Sequence, residues 1–62
     1  MALETRHTQK QLLFNLLMAL YREPDLKSSR EIGYVIMSLR AVMEPEDVAL
    51  VDNQIRELEK SN

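Results

Sequence analysis

Two prolines divide this chain of 62 residues into three segments and limit what it can fold into. Proline lacks a backbone N–H and disfavours α geometry in the residue before it, so Glu23 and Glu44 mark helix boundaries. Apolar residues recur at helical spacing, and no segment alternates between apolar and polar as a half-buried strand does. The sequence therefore predicts an all-α fold, a small bundle of three short helices over about residues 8–22, 28–43 and 45–60.

Each predicted helix has a recognisable start. Thr8 and Ser28 are each followed three residues later by Gln or Glu, which is the spacing of a capping box. Pro45 suits the first helical position, where its missing N–H costs nothing. The whole chain, residues 1–62, is predicted to be one helical domain in which residues 1–7 and 61–62 are frayed.

The first predicted helix is apolar around most of its girth, and this is the most informative feature of the sequence. Two short helices of the same chain can cover only about half of such a helix, so a second chain or a partner covers the rest. We therefore expect dimerisation, or a higher even oligomer, to complete a larger helical bundle. The core positions expected to tolerate substitution least are Leu16, Leu17, Leu20, Ile36 and Leu39.

The predicted oligomer or partner interface combines the apolar arc of the first helix with part of the second. Gly33, in mid-helix, costs roughly 1 kcal/mol relative to alanine, but with Met37 and Ala41 it forms a narrow strip that another helix can approach. Asn15 interrupts the arc, where it either faces solvent or fixes the register of an oligomer. The predicted interface residues are Leu13, Phe14, Leu17, Met18, Tyr21, Gly33 and Met37.

Charge is unevenly distributed along the chain, although the net charge is only −2. Residues 1–40 hold six basic and four acidic side chains, whereas residues 41–62 hold two basic and six acidic ones. Two partner surfaces are therefore candidates. We favour the outer arc of the first helix over the acidic face of the third, because buried aromatic and Met side chains supply most binding energy. The arc comprises Phe14, Met18 and Tyr21 with Lys10 and Arg22 at its flanks, and the acidic face comprises Asp52, Glu57 and Glu59.

The composition argues against an enzyme, a metal site and a cofactor. The chain has no Cys, one His (His7) and one Gly, which leaves no thiolate zinc site, no paired nucleophile and base, and no phosphate-binding loop. The densest apolar run is ten residues long, whereas a bilayer span needs about 20. With no signal peptide visible, we expect a soluble cytoplasmic protein that does not bind a membrane.

These features predict a non-enzymatic adaptor or regulatory protein that self-associates and binds another protein. The alternative is a small nucleic-acid-binding regulator that uses the basic residues Lys10, Arg22, Lys27 and Arg30 of the first two helices. We rank it second because the third helix, which would be the recognition helix of a helix-turn-helix, is acidic and would be repelled by phosphates.

No motif assigns the chain to a family. Short helices that need a second copy resemble small bacterial, plasmid or phage regulators, and the helical-hairpin dimer of the plasmid RNA-binding Rop type is one architectural comparison. The spacing of apolar positions from Leu16 to Leu58, including Ile36-Met37-Ser38-Leu39, is similar to that of the biofilm and acid-stress regulators of the AriR type. No functional residue is carried over from either comparison.

Overall fold

The computed structural model describes residues 2–61, and within them the chain forms helices α1 (Leu3–Arg22), α2 (Leu26–Val42) and α3 (Pro45–Ser61). The prediction of an all-α bundle of three helices is confirmed for this part of the chain. Pro24 lies in the first connection and Pro45 is the first residue of α3, as the sequence predicts. Met1 and Asn62, which belong to the ends predicted to fray, lie outside the described residues.

The predicted start of the first helix is wrong. α1 begins at Leu3, so Thr8 is an interior residue, and its hydroxyl donates to the Glu4 carbonyl oxygen at 2.9 Å instead of capping a helix. The added turns include Arg6, whose side chain donates hydrogen bonds to two carboxylates of α3. This tertiary contact stabilises the first turns of α1, and no local sequence pattern near Thr8 predicts it.

The predicted cap of the second helix is also wrong by three residues. Asp25 is the N-cap of α2, and its Oδ2 accepts hydrogen bonds from the Ser28 backbone N at 3.1 Å and from Ser28 Oγ at 3.0 Å. A short carboxylate at the N-cap satisfies an N–H of the first turn that has no partner within the helix. Ser28 therefore supports a cap that Asp25 provides.

α1 is the central helix. It packs against both α2 and α3, whereas α2 and α3 make little contact with each other apart from the Arg40–Asp52 ion pair. Leu13 of α1 is 0% exposed and Val51 of α3 is 1% exposed, and these are the largest fully buried side chains. The core cluster also includes Ile36 and Met43, with half-buried Phe14, Leu16, Leu17, Leu20, Ile32, Leu39 and Val48 packed against it.

The core is therefore close to the predicted one but centred elsewhere. Ile36 is buried as predicted, while the other four predicted positions, Leu16, Leu17, Leu20 and Leu39, are half-buried around it. The most deeply buried positions are Leu13 and Val51. Leu13 lies on α1, which packs against both other helices, and the sequence alone does not show where along α1 they pack.

The molecule is flatter and more open than a typical domain of its size. Its principal extents are 35 × 27 × 16 Å and its radius of gyration is 12.0 Å, against about 10.6 Å for a compact domain of this length. Its accessible surface is 4768 Å², which exceeds by roughly 650 Å² the value of about 4,100 Å² expected for a compact monomer of this mass. No helix in residues 2–61 is both long enough and apolar enough to span a membrane.

Candidate protein-binding groove

A groove of about 740 Å³ runs along the seam between α1 and α3. Its lining side chains recur at helical spacing on the facing sides of the two helices, so the groove follows the helix axes. Along α3 the lining extends from Leu50 to Ser61, which corresponds to roughly 16 Å of helix. The α1 wall is His7, Lys10, Gln11 and Phe14, and the α3 wall is Leu50, Asn53, Gln54, Glu57, Leu58 and Ser61.

The groove has an apolar floor between polar edges. Phe14 from α1 and Leu50 and Leu58 from α3 supply apolar surface, and both leucines are exposed to solvent. Lys10 lies on the α1 wall and Glu57 on the α3 wall, and amide side chains also line the groove. Such a surface suits an amphipathic segment, because the floor takes apolar anchors while the edges hydrogen-bond and discriminate by charge.

An ion-pair cluster fixes α3 against α1 near their N-terminal ends. Arg6 binds Asp47 through two hydrogen bonds, with Nε at 2.9 Å from Oδ2 and Nη2 at 3.0 Å from Oδ1. Nη2 also donates to Glu46 Oε1 at 2.7 Å. Two parallel hydrogen bonds between a guanidinium and a carboxylate fix their relative geometry, so the cluster sets where α3 begins relative to α1.

Asp47 is the buried member of that cluster, with only 5% of its surface exposed. Its pKa is held below the usual value mainly by the hydrogen bonds from Arg6, whereas burial opposes this shift and the positive charges of Arg6 and Lys10 add to it. The same carboxylates raise the pKa of Arg6. Both groups are therefore charged at neutral pH, and the pair is satisfied within the chain.

The seven predicted interface residues do not form one surface. Phe14 lines the groove, Met18 is half-buried, and Tyr21 is exposed outside the groove lining. Leu17 packs against the core, and Leu13 is covered completely by its own chain, so Leu13 has no surface to offer a partner. Gly33 and Met37 lie on α2, outside the groove.

The sequence predicts that uncovered apolar surface lies mainly on α1, whereas in the structure more of the exposed large apolar residues belong to α2. Because α1 lies against two helices, its wide apolar arc is what a central helix needs, and Leu3, Leu12 and Tyr21 are its exposed large apolar residues. Asn15 is exposed in the single chain, which is compatible with both of its alternatives. On α2 the exposed large apolar residues are Leu26, Tyr34, Val35, Met37 and Val42.

One of the four basic residues of the nucleic-acid alternative lies apart from the others. Lys10 lines the groove and adds to the field at Asp47, whereas Arg22 lies in the last turn of α1, about 18 Å further along the helix axis. Lys27 and Arg30 are exposed on α2. A phosphate-binding surface clusters its basic groups, and this arrangement separates Lys10 from the other three.

The apolar residues of the α3 wall, Leu50 and Leu58, were not predicted as a surface, whereas Glu57 of that wall belongs to the predicted acidic face. Leu50 lies one position before the buried Val51, and Leu58 follows the buried Ile55 at a helical spacing of three, which favours a place in the core. Their joint exposure beside α1 depends on the rotation of α3 about its axis. The available signal was Leu50, which is an apolar residue outside the spacing of Val48, Val51 and Ile55.

The groove combines exposed apolar residues with polar side chains of both charges. Within residues 2–61 no group of three His, Asp or Glu side chains is placed to hold a metal ion. Comparisons of the chain with protein-family models, with curated proteins and with solved structures find no match. The lining of the groove, the exposure of its side chains and the neighbouring ion pairs are therefore the observations from which a function can be proposed.

Proposed function

We propose that this chain is a non-enzymatic interaction protein that binds one amphipathic helix of a partner protein in the groove between α1 and α3. The observation that carries the proposal is an apolar floor along two helices, formed by half-buried Phe14 and exposed Leu50 and Leu58. Helix-in-groove recognition uses apolar anchors at one side of the bound helix, spaced by three and four residues. A lining about 16 Å long matches three turns of such a helix.

The edges of the groove specify the chemistry of the partner helix. Lys10 on the α1 wall favours an acidic edge, and Glu57 on the α3 wall favours a basic one. Glu57 Oε1 lies 3.6 Å from Lys60 Nζ in an exposed ion pair, and Lys60 partly neutralises the charge of Glu57. The stronger orienting contact is therefore a carboxylate beside Lys10, and such edge charges mainly affect association rate and orientation.

We propose in addition that the protein acts as a homodimer. Its surface exceeds that of a compact monomer by roughly 650 Å², which is close to the share of about 800 Å² that each partner buries in an interface of standard size. The cytoplasmic location expected from the sequence stays a prediction.

The test places a photo-crosslinking residue at Gln54, on the polar edge of the groove, and applies light in the native host. We expect a crosslink to a helical segment of another protein, lost in the Leu58→Asp variant because a buried unpaired carboxylate opposes apolar docking. The matched control is Leu12→Asp, since Leu12 is as exposed as Leu50, at 46%, but lies outside the groove.

Two outcomes would contradict the proposal. A crosslink that survives both Leu50→Asp and Leu58→Asp would show that the apolar floor does not bind the partner. A crosslink that joins two copies of this chain would assign the groove to self-association instead. Circular dichroism of each variant checks that the helices remain folded.

A further inference from the structure

A row of side chains on the outer side of α2 has no partner among the described residues. Arg30, Tyr34, Met37 and Ala41 follow each other at spacings of four, three and four residues, the pattern of a helix–helix seam. All four are exposed, Tyr34 at 70% and Met37 at 68%. Ile36 faces the core instead, so this outer seam is separate from the face of α2 that packs inside the chain.

Gly33 borders the outer seam. A Cβ placed on Gly33 would meet no atom within 4 Å, so packing inside the chain gives no reason for a glycine in the middle of α2. Glycine destabilises a helix interior relative to alanine, and close approach of a second helix is a physical reason to have one there.

A basic residue begins the outer seam, and an acidic residue follows the end of α2 in the chain. Arg30 lies near the start of α2, and Glu44 lies two residues beyond its end. Neither takes part in the ion pairs formed within residues 2–61. A surface with a positive end, an apolar middle and a negative end is complementary to itself when two copies meet antiparallel about a two-fold axis.

We propose that a second copy of this chain docks on the outer seam, with the two α2 helices antiparallel. Met37 then meets Met37 of the second copy at the two-fold axis, and Tyr34 lies against the small Ala41 of the second copy. Arg30 of each copy faces Glu44 of the other. This inference rests on the proposed self-association and gives it an interface that leaves the α1–α3 groove open to a partner.

Exposed apolar side chains on the outer seam, and the open shape of the whole molecule, favour this contact. The outer seam includes two of the most exposed large apolar side chains of the molecule, Tyr34 and Met37. The surface in excess of a compact monomer, roughly 650 Å² per chain, approaches the ~800 Å² per partner of a standard interface.

The experiment is a charge exchange followed by sedimentation equilibrium. Arg30→Glu alone and Glu44→Arg alone each place two like-charged pairs across the two-fold axis, and each should weaken the homodimer about tenfold. An equimolar mixture of the two variants restores both opposite-charge pairs in a heterodimer, whose Kd should return to the wild-type value. Arg56→Glu, an equal charge change on the exposed face of α3, is the matched control and should leave the Kd unchanged.

The outcomes separate this inference from the proposal on which it rests. A wild-type protein that is monomeric at micromolar concentration would overturn both. A wild-type dimer that tolerates Met37→Glu and both charge changes would overturn the outer seam and leave self-association standing. Single variants that weaken the dimer without recovery in the mixture would overturn the antiparallel register. If Leu58→Asp abolishes the Gln54 crosslink while the dimer is unchanged, the groove and the dimer interface are separate surfaces, as this inference requires.

Discussion

α1 is held to its two neighbours in different ways. Between α1 and α2 the contact is apolar, built from Leu13, Ile36 and the half-buried side chains around them. Between α1 and α3 the apolar contact at Val51 is joined by the Arg6 cluster with its buried carboxylate, Asp47. α2 is therefore held to α1 by apolar packing, whereas the position of α3 on α1 also depends on the ionisation of a charged pair.

The largest expected effect is on the free energy of unfolding, when the buried side chain at the centre of the shared core is shortened. Leu13→Ala should lower the free energy of unfolding by about 2–5 kcal/mol, because it leaves a cavity in the centre of the core. The adjacent Leu12→Ala is the control, and we expect a loss within about 0.5 kcal/mol since Leu12 is exposed. Urea unfolding at one protein concentration measures both, and equal losses would contradict the placement of Leu13 at the centre.

A second prediction separates the two interfaces by pH. The pKa of Asp47 is lowered in the fold, so its contribution to stability is present above the usual value of 3.8 and disappears as pH falls through the folded pKa. Wild type should therefore melt at a higher temperature than Asp47→Asn at neutral pH, and the difference should shrink on acidification.

The cause of that pH dependence can be tested separately. Because the hydrogen bonds from Arg6 are the main reason for the lowered pKa, an Arg6→Gln background should remove most of the difference between Asp and Asn at position 47. A difference that persists unchanged in that background would mean that another group stabilises the Asp47 carboxylate.

The smallest effect concerns α2 and has opposite signs for folding and assembly. Gly33→Ala should stabilise the folded chain by about 0.5–1 kcal/mol, because alanine favours the helix and its Cβ meets open space. The same methyl group should weaken the dimer if the two α2 helices approach closely. Urea unfolding at high dilution and sedimentation equilibrium measure the two effects, and a destabilised monomer would contradict the open space at Gly33.

The number of helices and the breaks between them follow from the sequence because their causes are local. Pro24 and Pro45 act on their immediate neighbours, and helical spacing of apolar residues identifies each segment. Helix starts were less predictable because local signals compete: Ser28 with Glu31 suggests a cap, but Asp25 provides it. The start of α1 depends on Arg6 and residues 40 and 41 positions away, beyond the reach of local patterns.

The candidate site was predictable in part. Phe14 was identified because it lies on the apolar arc of the first helix, and that arc is wider than two short neighbouring helices can cover. Leu50 and Leu58 were missed because the rotation of α3 about its own axis depends on the packing of Val51 and on the Arg6 cluster. The outer seam of α2 was seen only as a narrow strip at Gly33 and Met37, since the sequence does not show which side of α2 packs against α1.

The Arg6–Asp47 contact spans 41 positions of the chain, and this has a consequence for the order of folding. Contacts that close long loops form late, whereas α1 and α2 are joined by three residues and can pair locally. We expect the α1–α2 hairpin to form first and α3 to dock afterwards. The groove then exists only once the last helix is in place, so a chain with α1 and α2 paired but α3 undocked would lack the α1–α3 groove.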